Sequence, residues 1–292
     1  MERENLMRYE APTTTKQAAT LLAQEKGVAY ILAGGTDLLV KMKMDIIEPD
    51  LVVDIKRIPA MLAISASAAG AKIGAAVSGA TLNKHKALKK NWPGVVEAVN
   101  YIGSDQVQGR CTMVGNLCNA SPAADSVPAM IAAGAKAVIV GKDKRRTVAV
   151  EKIVTGPGKT SLAKGEVIES ITLPKRSPKS GDAYLRFTPR TEMDIAVVSA
   201  SVNLTLERGV IKTARVVLGA VAPTAVLVPA AAKAIIGSKL DEAALEKLAA
   251  ACADACNPID DKRGTIEYRT KVAAVLAVRT AKIAFQRAGG SL

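Results

Sequence analysis

Residues 30–42 have the sequence YILAGGTDLLVKM, and this stretch decides how the N-terminal part of the chain is interpreted. An apolar strand runs into two adjacent glycines, and the residues after Asp37 begin a helix. Gly34 and Gly35 allow positive φ and a close backbone approach to a ligand, while the helix start adds partial positive charge. The stretch predicts a cradle for a pyrophosphate, or else a tight turn that needs glycine only for its geometry.

The elements around this turn complete a small βαβ unit. Threonines at 13–15 precede an apolar stripe and supply hydroxyl caps, so a helix is predicted there that ends near Gly27. Residues 51–55, LVVDI, predict a short buried strand.

The rest of the chain divides at one linker. Short apolar runs between 61 and 173 predict sheet strands, with a helix at 122–134 bounded by proline and glycine. The segment 174–181, PKRSPKSG, lacks periodicity and is the predicted domain boundary. After it, an antiparallel hairpin is predicted from two apolar runs, and two helices close the chain. The hairpin strands are placed at 195–206 and 210–221, and the helices at 241–256 and 265–288.

A second segment, 112–125 with the sequence TMVGNLCNASPAAD, is dense in small polar groups. Thr112, Asn116, Asn119 and Ser121 offer hydroxyl and amide groups, and Asp125 is placed to cap the following helix or to accept a ribose hydroxyl. Loops of this composition are often functional, although a capped loop beside a core helix is the alternative.

A third segment, 155–160 with the sequence TGPGKT, ends like a phosphate-binding P-loop. The P-loop motif requires glycine where this chain has Ile153, and no helix pattern follows, so nucleotide hydrolysis is not predicted. No GxGxxG follows a strand either, which argues against a Rossmann dinucleotide site. Lys159 and Thr160 are interpreted as scaffold, with contact to a cofactor or partner as the alternative.

Composition excludes several classes of protein. The chain has 292 residues and a mass of 30.3 kDa, which suits about two domains. Its single histidine, His85, lies among lysines and is predicted at the surface, which argues against catalytic triads and histidine metal sites. Two Phe, five Tyr and one Trp are too few for a base-stacking platform. The four cysteines, Cys111, Cys118, Cys252 and Cys256, lack CxxC spacing, so no zinc or iron–sulfur site is predicted.

The formal net charge of +13 is compatible with nucleic-acid binding, because cationic surfaces release counterions from phosphates. The basic residues are spread along the chain, however, with clusters only at 84–90 and 142–146 and no nucleic-acid-binding motif. A solvated face, or a surface that docks on an acidic partner subunit, is the alternative. The uncharged run 216–232 is interrupted by glycine and prolines, and the N-terminus is polar, so a cytoplasmic protein without a membrane span is predicted.

Taken in order, the three glycine-bearing segments resemble the FAD-binding medium subunits of molybdenum hydroxylases. This family includes aerobic carbon monoxide dehydrogenases, bacterial xanthine and nicotinate dehydrogenases and 4-hydroxybenzoyl-CoA reductases. The resemblance covers nearly the whole chain. It implies an α+β fold: a two-subdomain FAD-binding domain of the vanillyl-alcohol oxidase and PCMH type, then a smaller α+β domain with a three-stranded antiparallel sheet. The implied spans are 1–175, with subdomains at about 1–57 and 58–175, and 182–290.

The resemblance also implies which residues hold FAD. The backbone of 33–36 and the polar groups of 112–125 would bind the pyrophosphate and the ribitol or ribose, and residues 184–194 would approach the isoalloxazine ring. Ordinary strand surface is the alternative for the last group. No catalytic side chain and no metal ligand is expected in this chain. The implied contacts are Leu32, Ala33, Gly34, Gly35, Thr36, Asp37, Thr112, Val114, Gly115, Asn116, Ser121, Ala124, Asp125, Ile168, Tyr184, Arg190 and Asp194.

Two departures from the family pattern are visible. Relatives usually show a glycine pair before the asparagine, where this chain has Val114 and Gly115. The approach of the backbone to the cofactor is therefore expected to differ at position 114. The chain also lacks an inserted cysteine-bearing loop, which makes the benzoyl-CoA reductase member a poorer match.

The function implied is electron transfer by the flavoprotein subunit of a multi-subunit enzyme. Molybdopterin–molybdenum is expected in a large partner subunit and [2Fe-2S] clusters in a small one, within a dimer of heterotrimers. Electrons would pass through FAD to NAD, a quinone, oxygen or another external acceptor. A free-standing flavin oxidoreductase of the same fold and a basic nucleic-acid-binding protein are the alternatives.

Overall fold

The structure is a computed structural model that describes residues 7–191 and 193–292. Its N-terminal part contains a three-stranded sheet in the order β1-β3-β2, in which both pairings are parallel. The helix after the threonines is confirmed, with the Thr14 hydroxyl accepting from the N–H of Gln17, and the βαβ unit is confirmed as well. The elements are β1 (Arg8–Glu10), α1 (Thr15–Gln24), β2 (Ala29–Leu32), α2 (Leu38–Lys43) and β3 (Leu51–Asp54).

The second part is built around a five-stranded antiparallel sheet in the order β4-β5-β10-β6-β7. The predicted helix at 122–134 is shorter than expected, because residues 121–124 form a turn closed by the Ala124 N–H on the Ser121 carbonyl. Short 3-10 helices occur at Ile55–Arg57 and Val150–Lys152. The other elements are α3 (Pro59–Leu62), β4 (Ile64–Ser67), β5 (Gly70–Gly74), α4 (Gly79–Lys84), α5 (Lys86–Asn91), α6 (Pro93–Asn100), α7 (Asp105–Gln108), α8 (Met113–Asn119), α9 (Ser126–Ala132), β6 (Lys136–Val140), β7 (Arg145–Ala149), β8 (Val154–Gly156), β9 (Lys159–Thr160) and β10 (Val167–Leu173).

The C-terminal part has a four-stranded antiparallel sheet in the order β11-β12-β13-β14, covered by helices. The sheet is antiparallel as expected, but the predicted number of three strands is wrong, because β14 adds a fourth. The fourth strand has only two residues, which follow the turn around Pro223, and so short a run gives no strand pattern in the sequence. The elements are β11 (Ser180–Phe187), β12 (Val198–Glu207), β13 (Val210–Gly219), β14 (Val226–Leu227), α10 (Pro229–Ile235), α11 (Glu242–Asp254) and α12 (Ile266–Arg287).

Side-chain caps fix the starts of the two closing helices, which were predicted at 241–256 and 265–288. The Asp241 carboxylate accepts from the N–H of Ala244 ahead of α11, and the Thr265 hydroxyl accepts from the N–H of Tyr268 ahead of α12. His85 is half-buried, and its Nδ1 accepts from the N–H of Leu88, so it caps α5.

Two hydrophobic cores hold these parts together. One joins the two N-terminal sheets and their helices, and the other lies between the C-terminal sheet and its helices. Polar contacts bind the second to the first, including a hydrogen bond from the Gly94 N–H to the Asp182 carboxylate at 2.9 Å and the ion pair between Arg287 and Glu97. Across residues 7–191 and 193–292, no helix combines the length and apolar character needed to cross a bilayer.

Candidate functional site

A cavity of about 660 Å³ lies where the parallel sheet faces the second part of the chain. Its volume is within the range of about 300–1,000 Å³ that small-molecule and cofactor sites occupy. It is lined by the turn after β2, the start of α8 and the segment that leads into β10, so the first two glycine-bearing segments meet there. The predicted contacts that line it are Ala33, Gly34, Gly35, Thr36, Asp37, Thr112, Val114, Gly115, Asn116 and Ile168.

The turn after β2 is closely packed and has unused donors. A Cβ on Gly34 would overlap the carbonyl oxygen of Arg110, and Gly35 has a φ of 79°, in the left-handed region that favours glycine. Within the described part of the chain, no acceptor is found for the backbone N–H groups of Gly34, Gly35 and Thr36. Three consecutive donors on a cavity wall fit an anionic group that supplies the missing acceptors.

The polar side chains of α8 are largely engaged within the protein. The Thr112 hydroxyl accepts from the N–H of Gly115 at 2.8 Å and caps the helix. The Asn116 carbonyl oxygen accepts from both the N–H and the hydroxyl of Ser126, at 3.2 and 2.7 Å. This fixes the Asn116 side chain and leaves its amide N–H groups as the donors available to a ligand.

The third glycine-bearing segment supports the second one. Gly158 lines the cavity, and its N–H donates to the carbonyl of Ala120, which adopts a left-handed conformation after α8. Lys159 and Thr160 form β9, which pairs with β8, and neither lines the cavity. The segment therefore acts here as a brace for the α8 loop.

Charged residues at the cavity are linked in two groups. The Lys41 ammonium donates to the Asn119 side-chain oxygen at 3.1 Å, and the Asn119 amide donates to Asp37 at 3.2 Å, so α2 and α8 are bridged. Glu166, which also lines the cavity, accepts two hydrogen bonds from Arg146, both at 2.7 Å, and these hold the pKa of Glu166 below its usual range. Among the described residues no carboxylate forms an ion pair with Lys41, so its positive charge remains available to a bound anion.

Two cysteines, Cys111 and Cys118, also line the cavity. Burial raises the pKa of Cys111 to about 11 and that of Cys118 to about 12, so both are neutral thiols at physiological pH. Within the described residues, no group of three or more His, Cys, Asp or Glu side chains could hold a metal ion.

Comparisons with known proteins show the family to which the chain belongs. The model of a family described as the FAD binding domain in molybdopterin dehydrogenase matches residues 5–176, and that of the CO dehydrogenase flavoprotein C-terminal domain matches residues 183–284. The chain belongs to this family of molybdenum hydroxylase flavoprotein subunits.

Relatives and solved structures match over almost their full length. The carbon monoxide dehydrogenase medium chain of Hydrogenophaga pseudoflava is 30% identical, with 96% of this chain and 97% of the relative covered. The xanthine dehydrogenase FAD-binding subunit of Escherichia coli O157:H7 is 27% identical, with 97% and 98% covered. A structure of the H. pseudoflava carbon monoxide dehydrogenase that lacks the Mo-pyranopterin moiety superposes with a TM-score of 0.92 at 31% identity, covering 96% of this chain and 98% of that one.

The lining of the flavoprotein subunit's cavity fits both halves of FAD. The unpaired N–H groups of the glycine turn suit its pyrophosphate, and the apolar side chains of Leu22, Ile31, Ile55, Ile102 and Ile168 suit the faces of its rings. The donor set and the cavity size therefore fit the cofactor that names the family.

Seven predicted contacts of the flavoprotein subunit lie outside the cavity lining. Leu32 ends β2, while Ser121 and Ala124 lie in the turn between α8 and α9. Arg190 and Asp194 pair with each other in the loop between β11 and β12. The residues outside the lining are Leu32, Ser121, Ala124, Asp125, Tyr184, Arg190 and Asp194.

Asp125 and Tyr184 meet in a buried polar cluster that joins the start of α9 to β11 of the C-terminal sheet. The Tyr184 hydroxyl donates to Asp125 at 2.7 Å, and Arg186 donates to the same carboxylate at 2.9 Å. The Arg186 guanidinium also lies 4.7 Å above the Tyr101 ring. Burial raises the pKa of Asp125 to about 6, although both donors favour its ionised form.

Several cavity residues of the flavoprotein subunit were missed by the sequence analysis. Residues 162–165 also line the cavity, and Gly165, with a φ of 82°, packs against Ala23 of α1. The glycine at 165 was the available signal, but its long-range partner is invisible in one sequence. Lys41 gives a weaker signal, because lysines on short exposed helices are common.

Proposed function

We propose that FAD occupies this cavity and that the chain acts as the electron-transfer subunit of a multi-subunit molybdenum hydroxylase. The observation that carries the proposal is the row of three unpaired backbone N–H groups at Gly34, Gly35 and Thr36 on the cavity wall. When bound, FAD would supply the redox chemistry, namely electron transfer between the iron–sulfur clusters expected in a partner subunit and an external acceptor. The residues of this chain bind the cofactor, orient it and exclude water.

The proposed roles follow the lining. The backbone of 33–36 binds the pyrophosphate, the amide of Asn116 and the neighbouring α8 residues orient the ribitol or ribose, and Ile168 packs on a ring. Contacts from Leu32, Ser121, Ala124, Arg190 and Asp194 stay predictions. Asp125 and Tyr184 do not line the cavity, and we propose that they act indirectly, by holding the buried polar cluster that they form with Arg186.

The proposal extends to partners and organisation. A large molybdopterin subunit and a small iron–sulfur subunit are the proposed partners, in a dimer of heterotrimers located in the cytoplasm. The FAD-binding domain is proposed to span 1–175 and the C-terminal domain 182–290, in keeping with the two hydrophobic cores. Because Tyr184 and Val217 belong to the first core, the two domains are proposed to move as one body.

An equilibrium titration of the purified chain with FAD tests the proposal directly. We expect flavin fluorescence to be quenched with saturation at about one FAD per chain, because the cavity beside the glycine turn has room for one cofactor of this size. Titration measures weak binding as well as tight binding, so loss of cofactor during purification does not obscure the result. If added FAD does not bind at any concentration, the proposal that this cavity binds FAD is wrong.

Substitution of Lys41 by glutamine should weaken FAD binding about tenfold, which corresponds to about 1.4 kcal/mol. Lys41 is a cavity cation that is linked to the glycine turn through Asn119 and Asp37, and its removal takes one charge-assisted contact from an anionic ligand. The dissociation constant at fixed ionic strength is the measurement.

Lys43 provides the matched control for this variant. It lies on the same helix, α2, is exposed and does not line the cavity, so Lys43→Gln removes the same charge without the contact. We expect its dissociation constant to stay within about twofold of the wild-type value, because only screened long-range charge is lost. Equal weakening by the two variants would show that Lys41 acts only through the general field.

A further inference from the structure

A second pocket, of about 290 Å³, lies on the surface where α5 and α6 meet the segment between β10 and β11. It is separate in its lining from the cavity assigned to FAD, with which it shares no residue. Its walls carry four cationic side chains and three small polar ones. They are Lys90, Asn91, Arg176, Ser177, Lys179, Ser180 and Arg287, together with Pro93.

The two arginines of this pocket are held in place. The Arg176 guanidinium lies 4.3 Å above the ring of the buried Trp92 and donates to Asp182 at 2.9 Å. Arg287 pairs with Glu97 and donates to the carbonyl of Asp182. Both guanidinium groups have further N–H donors that these contacts do not use. Because the two side chains are already ordered, a ligand that binds these donors pays little entropy for fixing them.

The lysines of the pocket leave its charge uncompensated. Within the part of the chain that the structure describes, no carboxylate pairs with Lys90 or Lys179, both of which are exposed. The carboxylates of Asp182 and Glu97 neutralise the charges of the two arginines. The two lysines therefore give the pocket a net charge of about two positive units. Lys86, Lys89 and Lys175 are also exposed nearby in the chain and raise the local positive potential.

We propose that this pocket, named here the α5 pocket, binds the phosphate group of a small phosphomonoester. A phosphomonoester carries about two negative charges at neutral pH and three strongly accepting oxygens. These match the two uncompensated lysines, the spare guanidinium N–H groups and the Ser177 hydroxyl. The volume admits the phosphate with a small substituent, and the arrangement needs no flavin, so the proposal is independent of the FAD assignment.

The test is calorimetric titration of the full chain, saturated with FAD, using inorganic phosphate and glycerol phosphate as probes. Chloride keeps the ionic strength constant, so that screening does not change during the titration. We expect one saturable site for both probes if the phosphate group alone is recognised, and tighter binding of glycerol phosphate if the substituent also contacts the pocket.

Two double variants decide whether the α5 pocket is the site. Lys90→Gln with Lys179→Gln should weaken phosphate binding about tenfold or more, because two charge-assisted hydrogen bonds are lost. Lys142→Gln with Lys144→Gln removes the same charge from the turn between β6 and β7, outside the pocket, and should change the affinity less than about twofold. All four lysines are on the surface, so both proteins should keep the wild-type melting temperature. Absence of saturable binding, or equal weakening by the two doubles, would overturn the proposal.

Discussion

Replacement of Gly34 by alanine should weaken FAD binding about a hundredfold, which is about 2.7 kcal/mol and within the usual cost of overpacking. The new Cβ would overlap the carbonyl oxygen of Arg110, and backbone atoms cannot move aside as a flexible side chain does. The strain is relieved by separating the turn after β2 from the segment before α8. That movement displaces the row of N–H groups from the cavity wall. The measurement is the FAD dissociation constant, together with the melting temperature without FAD.

Gly156 provides a control at another of the glycine-bearing segments. A Cβ there meets nothing within 4 Å, and its φ is not positive, so alanine fits without strain. We expect Gly156→Ala to bind FAD as the wild type does and to melt at the same temperature or slightly higher, because the unfolded chain loses freedom. If Gly34→Ala behaves in the same way as this control, the close approach to Arg110 does not shape the cofactor site.

The comparison of these glycines shows what the sequence could predict about the site. The turn at 33–37 was recognisable because a strand pattern, two glycines and a helix pattern follow one another within a few residues. The hydrogen-bonding groups of the 112–116 segment could be predicted as well, because they also lie within a few residues of one another. Their meeting across one cavity, with Gly34 against Arg110, depends on contacts between segments more than seventy residues apart, and only the family resemblance implied it.

Other features could not be predicted from the sequence, because they depend on tertiary contacts alone. The 155–160 segment has the composition of an anion site, yet its Gly158 N–H is used by the Ala120 carbonyl. The strand β14 has two residues and exists only because β13 offers a free edge beyond the turn. Asp125 looks like a helix cap in the sequence, but its carboxylate turns inward to Arg186 and Tyr184.

Truncation of Asp125 to alanine should cost about 3–5 kcal/mol of folding free energy at pH 7.5, the usual penalty for breaking a buried ion pair from one side. The Arg186 side chain is only 6% exposed, and the variant leaves its charge without the carboxylate. The buried Tyr184 hydroxyl loses its acceptor as well. Because burial raises the pKa of Asp125 to about 6, the measurement is made above that value, where the carboxylate is ionised. Chemical denaturation in urea gives the free energy of unfolding.

Glu207 supplies the matched control, since it forms an ion pair with Lys212 in which both side chains are more than half exposed. Glu207→Ala should change the free energy of unfolding by less than about 1 kcal/mol, because exposed pairs contribute little. Tyr184→Phe separates the two parts of the cluster: it keeps the ion pair and should cost about 1–2 kcal/mol for the lost hydrogen bond. Asp125 lies at the start of α9 in the FAD-binding part and Arg186 lies on β11 of the C-terminal sheet, so a large effect at Asp125 would also mean that this cluster couples the two parts. An Asp125→Ala protein as stable as Glu207→Ala would show instead that packing alone holds the two parts together.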